Sequence, residues 1–134
     1  MVSGSCLCRN LSYHISEDTS LKPAICHCLD CQKLSGSTYS TNLLVPFSSF
    51  DVHGTPKTYR RKGDSGKDVT LNFCDNCGHT LFVTAETMPG LVIVKAGTVD
   101  DRNWLNSHSP SVEIYCKDKL GWLPQLAETM KSKF

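Results

Sequence analysis

The stretch "CDNCG", residues 74–78, sets two cysteines three positions apart and follows them with a glycine. A knuckle turn of this kind lets two thiolates chelate one ion while the turn's amides stabilise the sulfur charge, but it supplies only half of a closed zinc site. "CLC", residues 6–8, is the matching pair. Cys6, Cys8, Cys74 and Cys77 together make a four-thiolate structural zinc site. Such a site clips the N-terminus to the middle of the chain, closing a long loop that a small protein otherwise closes at an entropic cost. The alternative is a set of packing thiols, and two matched pairs argue against it.

Outward from this clip, the chain reads as short strands punctuated by Gly, Pro, Asn and Asp. The candidates are "LSYHIS" (11–16), "STYSTNLLV" (37–45), "KTYRR" (57–61), "VTLNF" (69–73), "TLFVT" (80–84), "LVIVKAGTV" (91–99) and "VEIYC" (112–116). Helical signals are two: a turn or so after Cys28 through "CQKLS", and "LPQLAETMKSK" (123–133), with Pro124 near its first turn. The expected class is mainly β, with few short helices. The 134 residues suit a single domain, 1–134. Lys+Arg at 14 against Asp+Glu at 13 gives no field for nucleic acid or an anionic membrane. No apolar run approaches the roughly 18 residues of a membrane helix. "MVSGSCLCRN" lacks a signal-peptide pattern, so a reducing, cytoplasmic setting is expected, where eight cysteines read better as metal ligands than as bridges. The segment "RRKGDSGKD" (60–68) reads as an exposed hairpin tip; its cations could also meet an anionic ligand.

"CHCLDC", residues 26–31, holds three further cysteines, Cys26, Cys28 and Cys31. Three protein ligands with an exchangeable fourth position define a catalytic zinc site. Three alternatives stand beside that reading. His27 could close the site, although between two ligands in an extended segment it would point away. Cys116 could close it from a distant strand, or the triplet could bind no metal; by default Cys116 reads as a buried strand thiol. Three thiolates quench the Lewis acidity of zinc more than three imidazoles would, so the centre is a poor generator of hydroxide. It is a better holder of a fourth, exchangeable thiolate, which points to chemistry at a carbon–sulfur bond. Loading two zinc ions on seven thiolates turns the net charge negative and further weakens a nucleic-acid reading. A nucleoside deaminase is excluded by the absence of a glutamate two residues after a first ligand and of a proline before "CDNC". A thioredoxin-like redox motif lacks its βαβ context.

"GSCLCRNLSY" (4–13), "CHCLDCQKLSGS" (26–37) and "LNFCDNCGHTLF" (71–82), with "AGTVDD" (96–101) and "VEIYCKDKLGWLP" (112–124), resemble the blocks of the glutathione-dependent formaldehyde-activating family, whose domain centromere protein V also carries. The resemblance implies a β-tent-like fold of two antiparallel sheets around a structural zinc, like that of the Rab-exchange-factor-like zinc chaperones. It implies structural zinc at Cys6, Cys8, Cys74 and Cys77 and catalytic zinc at Cys26, Cys28 and Cys31. The family's founding activity condenses formaldehyde with glutathione to S-hydroxymethylglutathione and is classed as a carbon–sulfur lyase. The implied partner is a small-molecule thiol. Alternatives are a lyase or cyclase of the same family acting on a dedicated small metabolite, and a non-catalytic zinc binding module. Gln32, Lys33, Ser35, Gly36 and Ser37 follow the triplet directly and are suspected around it, with helix and turn capping as the other reading of the serines. Gly78 is expected to serve the knuckle turn.

Overall fold

The structure is a computed structural model that describes residues 1–16 and 21–129. Two sheets dominate it. The smaller is antiparallel, with strands in the order β1 (Val2–Ser5), β2 (Ser12–Ile15) and β5 (Phe50–His53). The larger has eight strands: β3 (Ala24–Cys26), β4 (Ser40–Pro46), β6 (Lys57–Lys62), β7 (Asp68–Phe73), β8 (Thr80–Ala85), β9 (Leu91–Lys95), β10 (Val112–Ile114) and β11 (Glu128–Thr129). They lie in the order β11-β10-β3-β4-β9-β8-β7-β6. Two short helices, α1 (Leu29–Ser35) and α2 (Arg102–Ser107), complete the described chain with three single 3₁₀ turns. The mainly β class with two sheets and few helices is as expected. One edge departs from antiparallel order, because β10 runs parallel to both β3 and β11.

The core lies between the sheets and follows the strand period of two. Tyr13 and Ile15 of β2 are fully buried, as are Leu43 and Val45 of β4 and Val92 and Val94 of β9. His14 and Leu44, one residue out of phase, face away from that core and are exposed. On β8, Leu81 and Phe82 are consecutive yet both join the core cluster. A β-bulge explains this: Asn72 pairs with Phe82 and Phe73 with Thr80, so Leu81 is the extra residue and turns inward. The bulge abuts Cys74, where the chain leaves the sheet for its knuckle.

Three sequence expectations are corrected. Residues 123–129 are not helical: Glu128–Thr129 joins β10 as β11, and 130–133 lie outside the described residues. Cys116 is not on a strand but begins a 3₁₀ turn, half-buried, its thiol near the Glu113 carbonyl at 3.7 Å. The strand expected over 91–99 stops at Lys95 and gives way to a 3₁₀ turn over Ala96–Thr98. No helix among the described residues is long and apolar enough to cross a membrane.

Candidate metal centres

Cys6, Cys8, Cys74 and Cys77 come together, their sulfurs all within 4.8 Å of one another. Cys6 and Cys8 are 3.7 Å apart, Cys8 and Cys74 3.6 Å. Sulfurs around a tetrahedral zinc at about 2.3 Å are separated by about 3.8 Å, so the donor set fits that ion. The backbone prepares the thiolates. Leu11 N donates to Cys6 Sγ at 3.3 Å, and the amides of Asn76 and Cys77 donate to Cys74 Sγ at 3.4 and 3.5 Å. Amides of Cys8 and His79 lead in pulling the Cys77 thiol down to about 6. The Asn76 side chain and the Asn10 amide lower Cys8. Gly78 closes the knuckle at φ 75°, a left-handed conformation that an L side chain strains to adopt.

Cys26, Cys28 and Cys31 form the second cluster, again with all sulfurs within 4.8 Å. Cys26 ends β3, and Cys28 is the N-cap of α1, its Sγ accepting from Cys31 N at 3.2 Å. Among the described residues no fourth His, Cys, Asp or Glu joins the cluster, so neither His27 nor Cys116 closes it. Their surroundings bias the thiols in opposite directions. Hydrogen bonds from Cys26 and Cys28 draw the Cys31 thiol far down, with the Ser40 hydroxyl and the Lys95 charge adding to them. The same contacts push Cys26 far up. Three clustered thiols suit capture of a divalent ion, which displaces their protons.

His27 is fully buried and turns away from the sulfurs, as its place between two ligands suggests. Its Nε2 donates to the Glu113 carboxylate at 2.8 Å. Glu113, on β10 and fully buried, also accepts from Lys119 Nζ at 3.3 Å and from the amides of Leu126 and Ala127 at 2.9 and 3.2 Å. Burial alone would raise its pKa; the His27, amide and Lys119 donors outweigh burial and hold it at about 2. A depressed carboxylate stabilises the fold fully above its ordinary value of 4.5 and loses that contribution as pH falls through about 2. Glu113→Gln should therefore lower thermal stability at pH 7, by about 3 kcal/mol for a broken buried ion pair. In paired melts the gap to wild type should close between pH 4.5 and 2. A gap that stays constant with pH would contradict the ionised buried role.

The triplet occupies the face of the large sheet opposite the core. Cys26 pairs with Ser40, and Ala24 with Asn42, which pairs in turn with Lys95. Directly paired residues share a face, so Cys26, Ser40, Asn42 and Lys95 lie together, while Leu43 and Val94 point into the core. The far edge folds back over this face. In a flat sheet β6 would lie four strand spacings, roughly 19 Å, from β4. Yet Arg61 of β6 pairs with Asp30 of α1 at 3.2 Å, so the sheet curls strongly. Asp64, at the tip of the β6–β7 hairpin, lies near enough to Tyr115 to raise its pKa, after burial, alongside the three cysteines. Tyr115 sits at φ 56°, a left-handed conformation uncommon for a non-glycine residue. The segment 60–68 is thus partly strand, and Arg61 is spent on α1. Lys62 pairs with Asp68 at 2.6 Å.

The glutathione-dependent formaldehyde-activating enzyme family matches residues 1–118. The chain belongs to that family. Among solved structures, a Rhodobacter sphaeroides protein crystallised as a structural-genomics target aligns with a TM-score of 0.59 at 15% identity, covering 77% of this chain and 94% of that one. At that identity the likeness concerns the fold alone. No curated protein sequence matches the chain. Within the formaldehyde-activating family frame, the residues after the triplet have structural contacts. Gln32 Nε2 donates to the carbonyls of His27 and Asp118, tying α1 to the loop after β10. Ser35 Oγ donates to the Cys31 carbonyl and accepts from Ser37 N, and Gly36 is the left-handed C-cap. Lys33 is exposed. The sequence reading did not single out Ser40, Asn42, Lys95 or Glu113. Their one local signal is polarity at positions within otherwise apolar strands.

Proposed function

We propose that the protein catalyses reversible addition of a small thiol of the glutathione type to formaldehyde, at the Cys26–Cys28–Cys31 centre. The observation carrying this reading is three clustered sulfurs with no fourth protein donor among the described residues. Family membership supports it at the level of the formaldehyde-activating theme. A zinc ion held by the three cysteines would supply positive charge that favours the thiolate form of a substrate thiol. The chain's own part is to hold and tune the donors. Cys31 N donates to Cys28 Sγ, and Ser40 is among the groups that lower the Cys31 thiol. The curled hairpin reaches the border of the site, where Arg61 pairs with Asp30 of α1, the residue before Cys31. The substrate thiolate attacks the aldehyde carbon, the C–S bond forms as the C=O π bond breaks, and the oxygen takes a proton from solvent.

Exchange between free ¹³C-formaldehyde and its glutathione adduct, followed by NMR, tests the proposal. The uncatalysed exchange sets a baseline. Wild-type, zinc-loaded protein should raise the exchange rate in proportion to its concentration. A rate that does not depend on protein, with a panel of small metabolites turning over instead, would favour a lyase or cyclase with another substrate.

A further inference from the structure

A chain of oriented hydrogen bonds runs across the sheet to Ser40, the register partner of Cys26. Lys95 Nζ donates to Asn42 Oδ1 at 2.8 Å, and Asn42 Nδ2 donates to Ser40 Oγ at 2.9 Å. Ser40 pairs with Cys26 across the β3–β4 register, so the network ends beside the triplet. Asn42 and Ser40 are only 6% and 4% exposed, so this network is fixed by packing rather than by solvent. Lys95 ends β9 on the same face as Cys26; burial lowers its pKa, and the negative charge of Cys31, Cys26 and Cys28 opposes that shift and favours the ammonium. Asn42 takes one of its three protons, and among the described residues no other hydrogen-bond acceptor engages it. Arg61, the cation approaching from the hairpin, is already paired with Asp30.

We propose that Lys95 is the anion-binding residue of the site: its ammonium, aimed by Asn42, takes a negatively charged oxygen carried by the thiol substrate. The substrate is then gripped at two points, its sulfur at the cysteine centre and its oxygen at Lys95. This rests on the reading of the triplet as a thiol site. The charge balance favours it. Three thiolates and a divalent ion leave one negative charge, which an arriving thiolate doubles, so a further anionic oxygen needs a nearby cation. An ammonium with free donors meets that need, and its fixed position selects substrates by where their oxygen lies.

Cobalt-loaded protein titrated with three thiols of similar size provides the test, read from the thiolate-to-cobalt absorption. Mercaptoacetate, 2-mercaptoethanol and cysteamine carry a negative, a neutral and a positive group beside the sulfur. Lys95→Met should weaken mercaptoacetate about tenfold relative to 2-mercaptoethanol, the scale of one charge-assisted hydrogen bond, and should leave cysteamine unchanged or improved. Lys95→Arg should keep the preference for the anion. Comparing variant with wild type, thiol by thiol, removes differences in thiol basicity. Lys95→Gln removes the charge while retaining a donor to Asn42, and gives the same comparison should Lys95→Met fail to fold. An equal change for all three thiols would overturn the inference and leave Lys95 as a counter-charge to the cysteines. No change for any of them would overturn it as well. If no thiol perturbs wild-type cobalt, the reading of the triplet falls, and this inference with it.

Discussion

Cys74→Ser should abolish cooperative folding. Cys74 is 1% exposed and sits in the core cluster, where it accepts from two amides and lies 3.6 Å from Cys8 Sγ. A serine hydroxyl stays protonated and cannot replace a thiolate toward zinc. Structural zinc sites contribute about 10 kcal/mol in small domains, comparable with the whole stability of a protein this size. Trimming a core residue such as Ile15 to alanine would cost about 2–5 kcal/mol, so the clip outweighs any one apolar side chain. Circular-dichroism melts with elemental analysis check this. The expected result is no cooperative transition and about one zinc fewer per chain than wild type. A variant with unchanged melting and full zinc content would remove the four-thiolate assignment.

Cys28→Ser should have the opposite profile: an intact fold and a dead site. No residue of α1 is buried, and the triplet lies on the sheet face away from the core, so little packing depends on it. The serine can still cap α1 through its hydroxyl, at a cost below about 1 kcal/mol. What it cannot do is complete the three-sulfur donor set. The variant should melt within a few degrees of wild type and bind its second metal weakly. Thiols should no longer shift a cobalt spectrum, and glutathione–formaldehyde exchange should fall to the uncatalysed rate. If Cys28→Ser unfolds as badly as Cys74→Ser, and thiols leave wild-type cobalt unchanged, the second site is a structural one. The protein is then better read as a two-metal binding module.

Both cysteine clusters were legible because their spacing is local: C-x-C, C-x-x-C and C-x-C-x-x-C declare ligand pairs without any knowledge of the fold. The alternation in "LSYHIS" was likewise legible as a strand, and Tyr13 and Ile15 form its buried face. Strands β1, β3 and β5 are too short to show a period, and each exists only through its partners in the sheet. The helical pattern of 123–129 lost to tertiary partners. Glu113 captures the amides of Leu126 and Ala127, and β10 pairs with Glu128 and Thr129. Lys95, Asn42 and Ser40 were invisible for a related reason. They come from two strands about fifty residues apart, and only the antiparallel register sets them beside Cys26. The His27–Glu113 pair joins residues even further apart in the chain.

The division of the large sheet into two faces has an evolutionary consequence. Residues of the core and residues on the face of the cysteine triplet alternate along the same strands, Val94 inward and Lys95 outward, Leu43 inward and Asn42 outward. The outward positions lie outside the core cluster between the sheets. Ile93, Val83, Leu71 and Tyr59, paired in a row across β9, β8, β7 and β6, continue that outward face toward the hairpin. A lineage built on this scaffold can therefore vary the face beside the triplet separately from the cysteine clusters and the core between the sheets.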